Sequence, residues 1–171
     1  ITVPGTTAIK NIKSSINVKK GKSTTLKPKL SYAGSPDTVT YKSSNKKIAM
    51  VSKYGKITGK KGGTAKITAT VGNVKAEKEV KVVVPIESVS LSGDDSILKG
   101  ETKRLTATIN PEDTTDDKTI TWSSDNENVL FVDQNGQIRG IKEGTANVKA
   151  VVAGKETTKQ KKLREQEYKY S

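Results

Sequence analysis

The sequence predicts an all-β chain of two antiparallel β-sandwich domains in tandem, and three observations carry that expectation. "YGKITGKKGGTA" at 54–65 recurs as "NGQIRGIKEGTA" at 135–146. Apolar residues alternate with a period of two rather than 3.6, and turn-forming residues return every 8 to 12 positions.

The repetition extends well beyond that phrase. Residues 40–71 align with 121–152 at a constant shift of 81, through Asn45/Asn126, Gly55/Gly136, Ile57/Ile138, Gly63/Gly144 and Ala69/Ala150. Upstream, "KKGKSTTLKPKL" and "LKGETKRLTATI" align at a shift of 79, through Gly21/Gly100 and Leu26/Leu105. The two-residue difference falls between "AGSPD" and "NPEDTTDD", where a surface loop absorbs an insertion. The chain therefore divides into residues 1–84 and 85–163, with 164–171 left as a tail that is either disordered or truncated. Each copy is close to the smallest size at which a single core suffices.

The strands of the first copy follow in order from the punctuation. Segments 8–12 and 15–19 precede the Lys20-Gly21 turn, and 23–31 runs from there toward Ser35-Pro36. Segments 38–44 and 48–52 come next, and 55–60 follows the Tyr54-Gly55 turn. After Gly62-Gly63, Ala65, Ile67, Ala69 and Val71 alternate with Lys66, Thr68 and Thr70, which makes 64–71 a strand with one buried face. Gly72-Asn73 then reverses the chain into 74–84. In the second copy Asn135-Gly136 is a strong two-residue hairpin signal, since both residues tolerate positive φ. Gly63 and Gly144 mark positions where a left-handed or bulged residue aims the next strand inward. The final segment, "KETTKQKKLREQEYKYS", lacks alternation and is expected to fray.

Composition removes several chemistries. The 171 residues include no Cys and no His, which excludes Cys/His and Ser/His nucleophile pairs and imidazole or thiolate zinc sites. No cofactor is expected. The repeated motif holds no acid for a carboxylate-pair mechanism, and the chain reads as non-enzymatic. Acids at 94–95, at 112–117, and at Asp125, Glu127 and Asp133 lack calcium-loop spacing, so solvated loop acids are expected and no metal ligand is assigned. No apolar run is long enough for a signal segment or a membrane span. The start at Ile1 suggests a piece of a longer array, and "VVVPIESV" suggests a short, stiff junction.

Charge is distributed unevenly. Residues 1–84 carry 18 Lys against Asp37, Glu77 and Glu79, a balance of +15, whereas 85–171 carry 13 cations against 15 acids, a balance of −2. Lys19, Lys20, Lys22, Lys46, Lys47, Lys60 and Lys61, with Tyr32 and Tyr54 at turns, are the candidate ligand contacts, and an anionic cell-envelope polymer or a host surface glycan is the candidate partner. A solvated, lysine-rich surface with no such partner is the reading placed ahead of it, since Lys is the default solvated residue. Specific nucleic-acid recognition is not expected, because Arg and stacking aromatics are few. Trp122 and Tyr41 are expected in the core rather than on a sugar platform.

Both copies resemble the bacterial immunoglobulin-like domain, group 2, through "TYKSSNKKIAMVSKYGKITGKKGGTAKITA" and "TWSSDNENVLFVDQNGQIRGIKEGTANVKA". The likeness covers roughly 9–84 and 85–163. Tyr41 departs from the usual Trp, and Lys60 from an apolar residue. The resemblance implies immunoglobulin-like sandwiches serving as spacers or contact modules in surface proteins, other domains of a parent chain being their partners. Adhesins, cell-wall enzymes with accessory domains, and phage tail or capsid proteins use such modules, so a bacterial surface or wall location is expected, with a virion as the alternative.

Overall fold

The computed structural model describes residues 8–10, 15–30 and 38–168. Among them every regular element is a strand. Two compact units emerge: one runs to Val84 and takes in Asp113–Thr115, and the other comprises Pro85–Glu112 and the chain from Asp116 onward.

The first unit holds β1 (Ile9–Lys10), β2 (Ser15–Lys19), β3 (Ser23–Thr25), β4 (Lys29–Leu30), β5 (Thr40–Ser43), β6 (Ala49–Val51), β7 (Lys56–Gly59), β8 (Gly63–Val71) and β9 (Val74–Val83). One sheet has the order β2-β9-β8-β5, a second β3-β7-β6, and a short pair joins β1 to β4. The second unit repeats this with β10 (Ser88–Ser92), β11 (Ser96–Leu98), β12 (Thr102–Arg104), β13 (Thr106–Asn110), β14 (Thr121–Ser124), β15 (Leu130–Val132), β16 (Gln137–Gly140), β17 (Gly144–Val152) and β18 (Lys155–Arg164). Its sheets are β11-β18-β17-β14, β12-β16-β15 and β10-β13. The order is the same in both units, as the alignment of the two copies predicts.

Each core lies between the four-stranded and three-stranded sheets. In the first unit Val18, Ala65, Ile67, Val80 and Val82 face Ala49 and Ile57. The second uses Ile97, Ala146, Val148, Ala150 and Leu163 against Leu130, Val132 and Ile138. These are the inward positions of the period-two pattern, so burial follows the alternation.

The structure refines the sequence reading in four places. The two-sheet class holds, but each unit contains one parallel pair, β2 with β9 and β11 with β18, among antiparallel ladders. The single strand expected at 23–31 is two strands on different sheets. The break is at Leu26, whose side chain enters the core while its amide donates to the Gly55 carbonyl at 2.9 Å. Leu105 does the same with Gly136 at 2.8 Å, so the switch of sheets belongs to the fold rather than to Pro28.

The Asn135-Gly136 turn is wider than the two-residue hairpin expected. Asp133 N donates to Gln137 O at 3.0 Å, leaving three residues between them, and only Gly136 takes positive φ, at 78°. Its mate Gly55 sits at 83° in the same loop, closed by Ser52 N to Lys56 O at 2.9 Å. This is the three-residue hairpin with glycine in the left-handed position. Asp133 stabilises it by accepting from Asn135 N at 2.8 Å and Gln137 N at 2.9 Å, as the Ser52 hydroxyl does for Tyr54 and Lys56.

The fourth difference is the segment expected to fray. β18 pairs with β17 from Lys155 to Leu163 and with β11 on its other edge. Backbone hydrogen bonding on both edges is indifferent to side-chain alternation, and Lys161 and Leu163 supply the two inward contacts.

The β17–β18 turn suggests a stabilising change. Ala153 adopts φ 47° where the first unit has Gly72 at φ 56°. A β-carbon in the left-handed region costs roughly 1–2 kcal/mol, partly offset by the greater chain entropy of glycine. Ala153→Gly is expected to raise the stability of the second unit by about 0.5–1 kcal/mol, measured by urea unfolding. A loss of stability would contradict this account.

Candidate functional site

Backbone hydrogen bonds gather the candidate lysines. Gly21 N donates to Gly59 O at 2.9 Å and Gly59 N returns to Lys22 O at 3.0 Å, which ties the turn carrying Lys19, Lys20 and Lys22 to the end of β7. Just beyond, Lys60 N and Lys61 N both donate to Ile48 O, at 2.7 and 3.2 Å. Ile48 closes the turn that carries Lys46 and Lys47: Ile48 N donates to Asn45 O, and the Asn45 side chain accepts from Lys47 N at 3.0 Å. The Asn45 side chain is thus spent on the backbone of its own turn. Three segments drawn from between Lys19 and Lys61 meet at one end of the first unit, and all seven lysines are exposed.

One acid tempers this end. Asp113 accepts from Lys20 Nζ at 2.7 Å, and that hydrogen bond, with a smaller contribution from Lys61, holds the carboxyl below its ordinary pKa. Its position is set by the neighbouring threonines. Thr115 N and Thr114 Oγ1 donate to Val84 O at 2.9 and 2.6 Å, and Val84 N donates to Thr115 Oγ1 at 2.9 Å. The local pattern around 113 holds no sign of this, because residues 84 and 115 are unrelated in the sequence. Among the described residues the other six lysines have no ion-pair partner.

The tyrosines do not join the lysines. Tyr54 occupies the β6–β7 turn, at the opposite end of those strands, 75% exposed with Lys53 Nζ 5.0 Å from its ring. Tyr32 lies outside the described residues. Trp122 is in the core as expected, and Tyr41 is half-buried, its hydroxyl pushed up in pKa by burial.

Most acids of these clusters are engaged by the protein itself. Asp94 pairs with Lys103 at 2.8 Å, and Asp125 accepts from Asn147 N and Nδ2 at 2.8 and 2.7 Å. Asp116 accepts from Ile86 N, and Asp117 from Thr119 N and Oγ1. Hydrogen bonds to these partners hold Asp94, Asp117 and Asp125 below the usual carboxylate range. Among the described residues no group of three or more acids is placed to hold a metal ion.

The arrangement is therefore an exposed cationic end able to hold a polyanion through salt-sensitive contacts. The sequence reading also passed over Phe131 and Ile141, which are exposed on the second unit. The alignment itself points to Phe131, because Met50 stands in its place in the first copy.

The family model for the Bacterial Ig-like domain (group 2) matches residues 6–82 and 85–163. A 3-O-α-D-galactosyl-α-L-arabinofuranosidase of Bifidobacterium longum subsp. longum is 41% identical over 81 residues, 47% of this chain and 7% of that one. An uncharacterised protein of Clostridium acetobutylicum is 36% identical over 118 residues, 67% of this chain and 12% of its own length. A lacto-N-biosidase of Bifidobacterium bifidum is 34% identical over 85 residues, 46% of this chain and 8% of that one. The chain thus spans 7 to 21% of the lengths of the curated relatives it matches. Among solved structures, the S-layer protein SbsC is 20% identical with a TM-score of 0.44, over 82% of this chain and 23% of that one. A C-terminal fragment of intimin is 18% identical with a TM-score of 0.41, over 94% of this chain and 64% of the fragment.

Proposed function

Because the chain belongs to the bacterial Ig-like (group 2) family, we propose that it is a non-catalytic tandem segment of a larger bacterial surface or secreted protein, acting there as spacer and adhesion module. The observation that carries this reading is the duplication itself: one sandwich built twice in the same strand order, as expected of a part whose job is length and surface. Relatives in which a comparable stretch is a small share of a long chain, two of them glycosidases by name, support the accessory role. No helix among the described residues is long and apolar enough to cross a membrane. The 171-residue chain is expected to release no product from aryl arabinofuranosides or lacto-N-biosides, and turnover above buffer would defeat the reading.

Adhesion is assigned to the lysine-rich end of the first unit, with an anionic cell-envelope polymer as its partner. The convergence of the 19–22, 46–47 and 60–61 segments favours this. The chain is expected to bind purified anionic wall polymer at 50 mM salt and to lose most of that binding at 300 mM, because such contacts are screened. Replacing Lys46, Lys47, Lys60 and Lys61 with Gln should weaken binding at least tenfold while leaving the thermal midpoint unchanged. Retention of full affinity would remove the lysines from the role and leave the spacer reading standing.

A further inference from the structure

The outer face of β12-β16-β15 in the second unit differs from its counterpart in the first in a way the fold does not require. Phe131, the chain's single Phe, is 45% exposed and directly opposite Arg139 across β15 and β16. Beside them Ile141 is 43% exposed, and Lys99, Gly100 and Gly140 complete a surface hollow of about 440 Å³. Arg104 is outward on the adjoining β12, opposite Gln137 on the same face of the sheet. Two of the chain's three arginines thus stand on one face with its exposed phenyl ring, in a protein whose cations are otherwise nearly all lysine.

The first unit is an internal control. At the matching positions it has Met50, Thr58, Lys60 and Thr25, and it forms the same three-stranded sheet. Neither the ring nor the guanidinium groups are needed to build this sheet. Among the described residues neither Arg104 nor Arg139 has an ion-pair partner. Lys99 reaches Glu165 at 3.3 Å, and an exposed pair of that kind contributes little.

The chemistry of the face selects a ligand class. An exposed ring beside an aliphatic side chain accepts the C–H face of a pyranose, and a planar guanidinium next to it holds a carboxylate through two parallel hydrogen bonds, which an ammonium does not reproduce. We infer that this face of the second unit is a saccharide-binding site for acidic glycans, taking a uronic-acid residue with its ring on Phe131 and its carboxylate on Arg139. The site is distinct from the lysine-rich end, so its failure would leave that assignment intact.

The test is titration of the 171-residue chain with hexagalacturonate, followed by amide chemical shifts, with maltohexaose and polyglutamate as comparison ligands. Shifts are expected to cluster on Phe131, Arg139 and their neighbours, with a dissociation constant on the order of 1 mM or below. Phe131→Met with Arg139→Thr, each the residue the first unit carries, should weaken binding at least tenfold while moving the thermal midpoint by less than about 2 °C. Arg139→Lys should recover only part of the affinity. The proposal is overturned if shifts map to Lys46–Lys61 instead, if the double variant binds hexagalacturonate unchanged, or if polyglutamate binds as tightly and independently of Phe131.

Discussion

Replacing Trp122 with alanine is expected to destabilise the second unit by about 3–5 kcal/mol, the range for removing a buried large aromatic. Trp122 is 5% exposed and its indole lies over Gly136, where a β-carbon would stand 2.8 Å from Cζ2. The hairpin glycine and the indole therefore fill one volume between them. Gln134 ties the same strand to that hairpin, accepting from Trp122 N at 3.3 Å and donating to Trp122 O at 3.1 Å. A unit of this size has only a few kcal/mol in reserve, so the midpoint should fall by about 15–30 °C. Circular dichroism under urea measures the loss, and hydrogen exchange at Ile138 and Val148 assigns it to the second unit. The first unit makes the same contact with Tyr41, whose ring lies 2.9 Å from a β-carbon built on Gly55. Trp122→Tyr should accordingly cost less than half as much. A loss below 1 kcal/mol for the alanine variant would mean that the indole is not the central packing element.

The second large effect runs in the opposite direction. Lys161 is fully buried, at the inward position of β18 where the first unit places Val80. Its ammonium donates to Asp94 O at 2.7 Å and stands 3.6 Å from Asp95 Oδ1. Burial pushes its pKa below lysine's ordinary value, with the Asp95 charge opposing that shift. Removing a buried charge in favour of an apolar side chain of similar volume is often stabilising by about 1–4 kcal/mol, and Lys161→Met is expected to gain at the lower end of that range, since the bond to Asp94 O is lost.

The pH dependence checks the cause. With the folded pKa lowered, the unfolded chain holds more protons between the two values, so stability rises with pH across that window. The wild-type second unit should gain stability as pH climbs from the folded pKa of Lys161 toward 10.5, and the Met variant should lack that gain. Lys103, raised by its hydrogen bond to Asp94, acts the other way, but its contribution is retained below lysine's ordinary value. A Met variant less stable than wild type at neutral pH would show that the Asp94 and Asp95 contacts outweigh desolvation.

The repeat comparison explains why some features were legible and others were not. Ala65, Ile67, Ala69 and Val71 announce β8 because a strand with one wet face must alternate, whatever the rest of the chain does. Gly55 and Gly136 mark their loop because the backbone there needs positive φ. β18 was misread for the complementary reason. Its hairpin partner β17 directly precedes it, but β11 on its other edge lies far off in sequence, and a ladder on both edges holds a strand whose own pattern is weak.

The same division applies to function. The sequence by itself determined the duplicated all-β plan, the lack of Cys and His chemistry, and the placement of nearly all excess charge in the first copy, since each is written in local periodicity, composition or self-similarity. Only the tertiary structure decided that lysines from three turns share one end, that Asp113 sits among them, that Lys161 is in a core, and that Phe131 and Arg139 face each other on an open sheet. Those facts depend on which strands lie side by side and on which faces the packing leaves open, and neither is written in the residues of one segment alone.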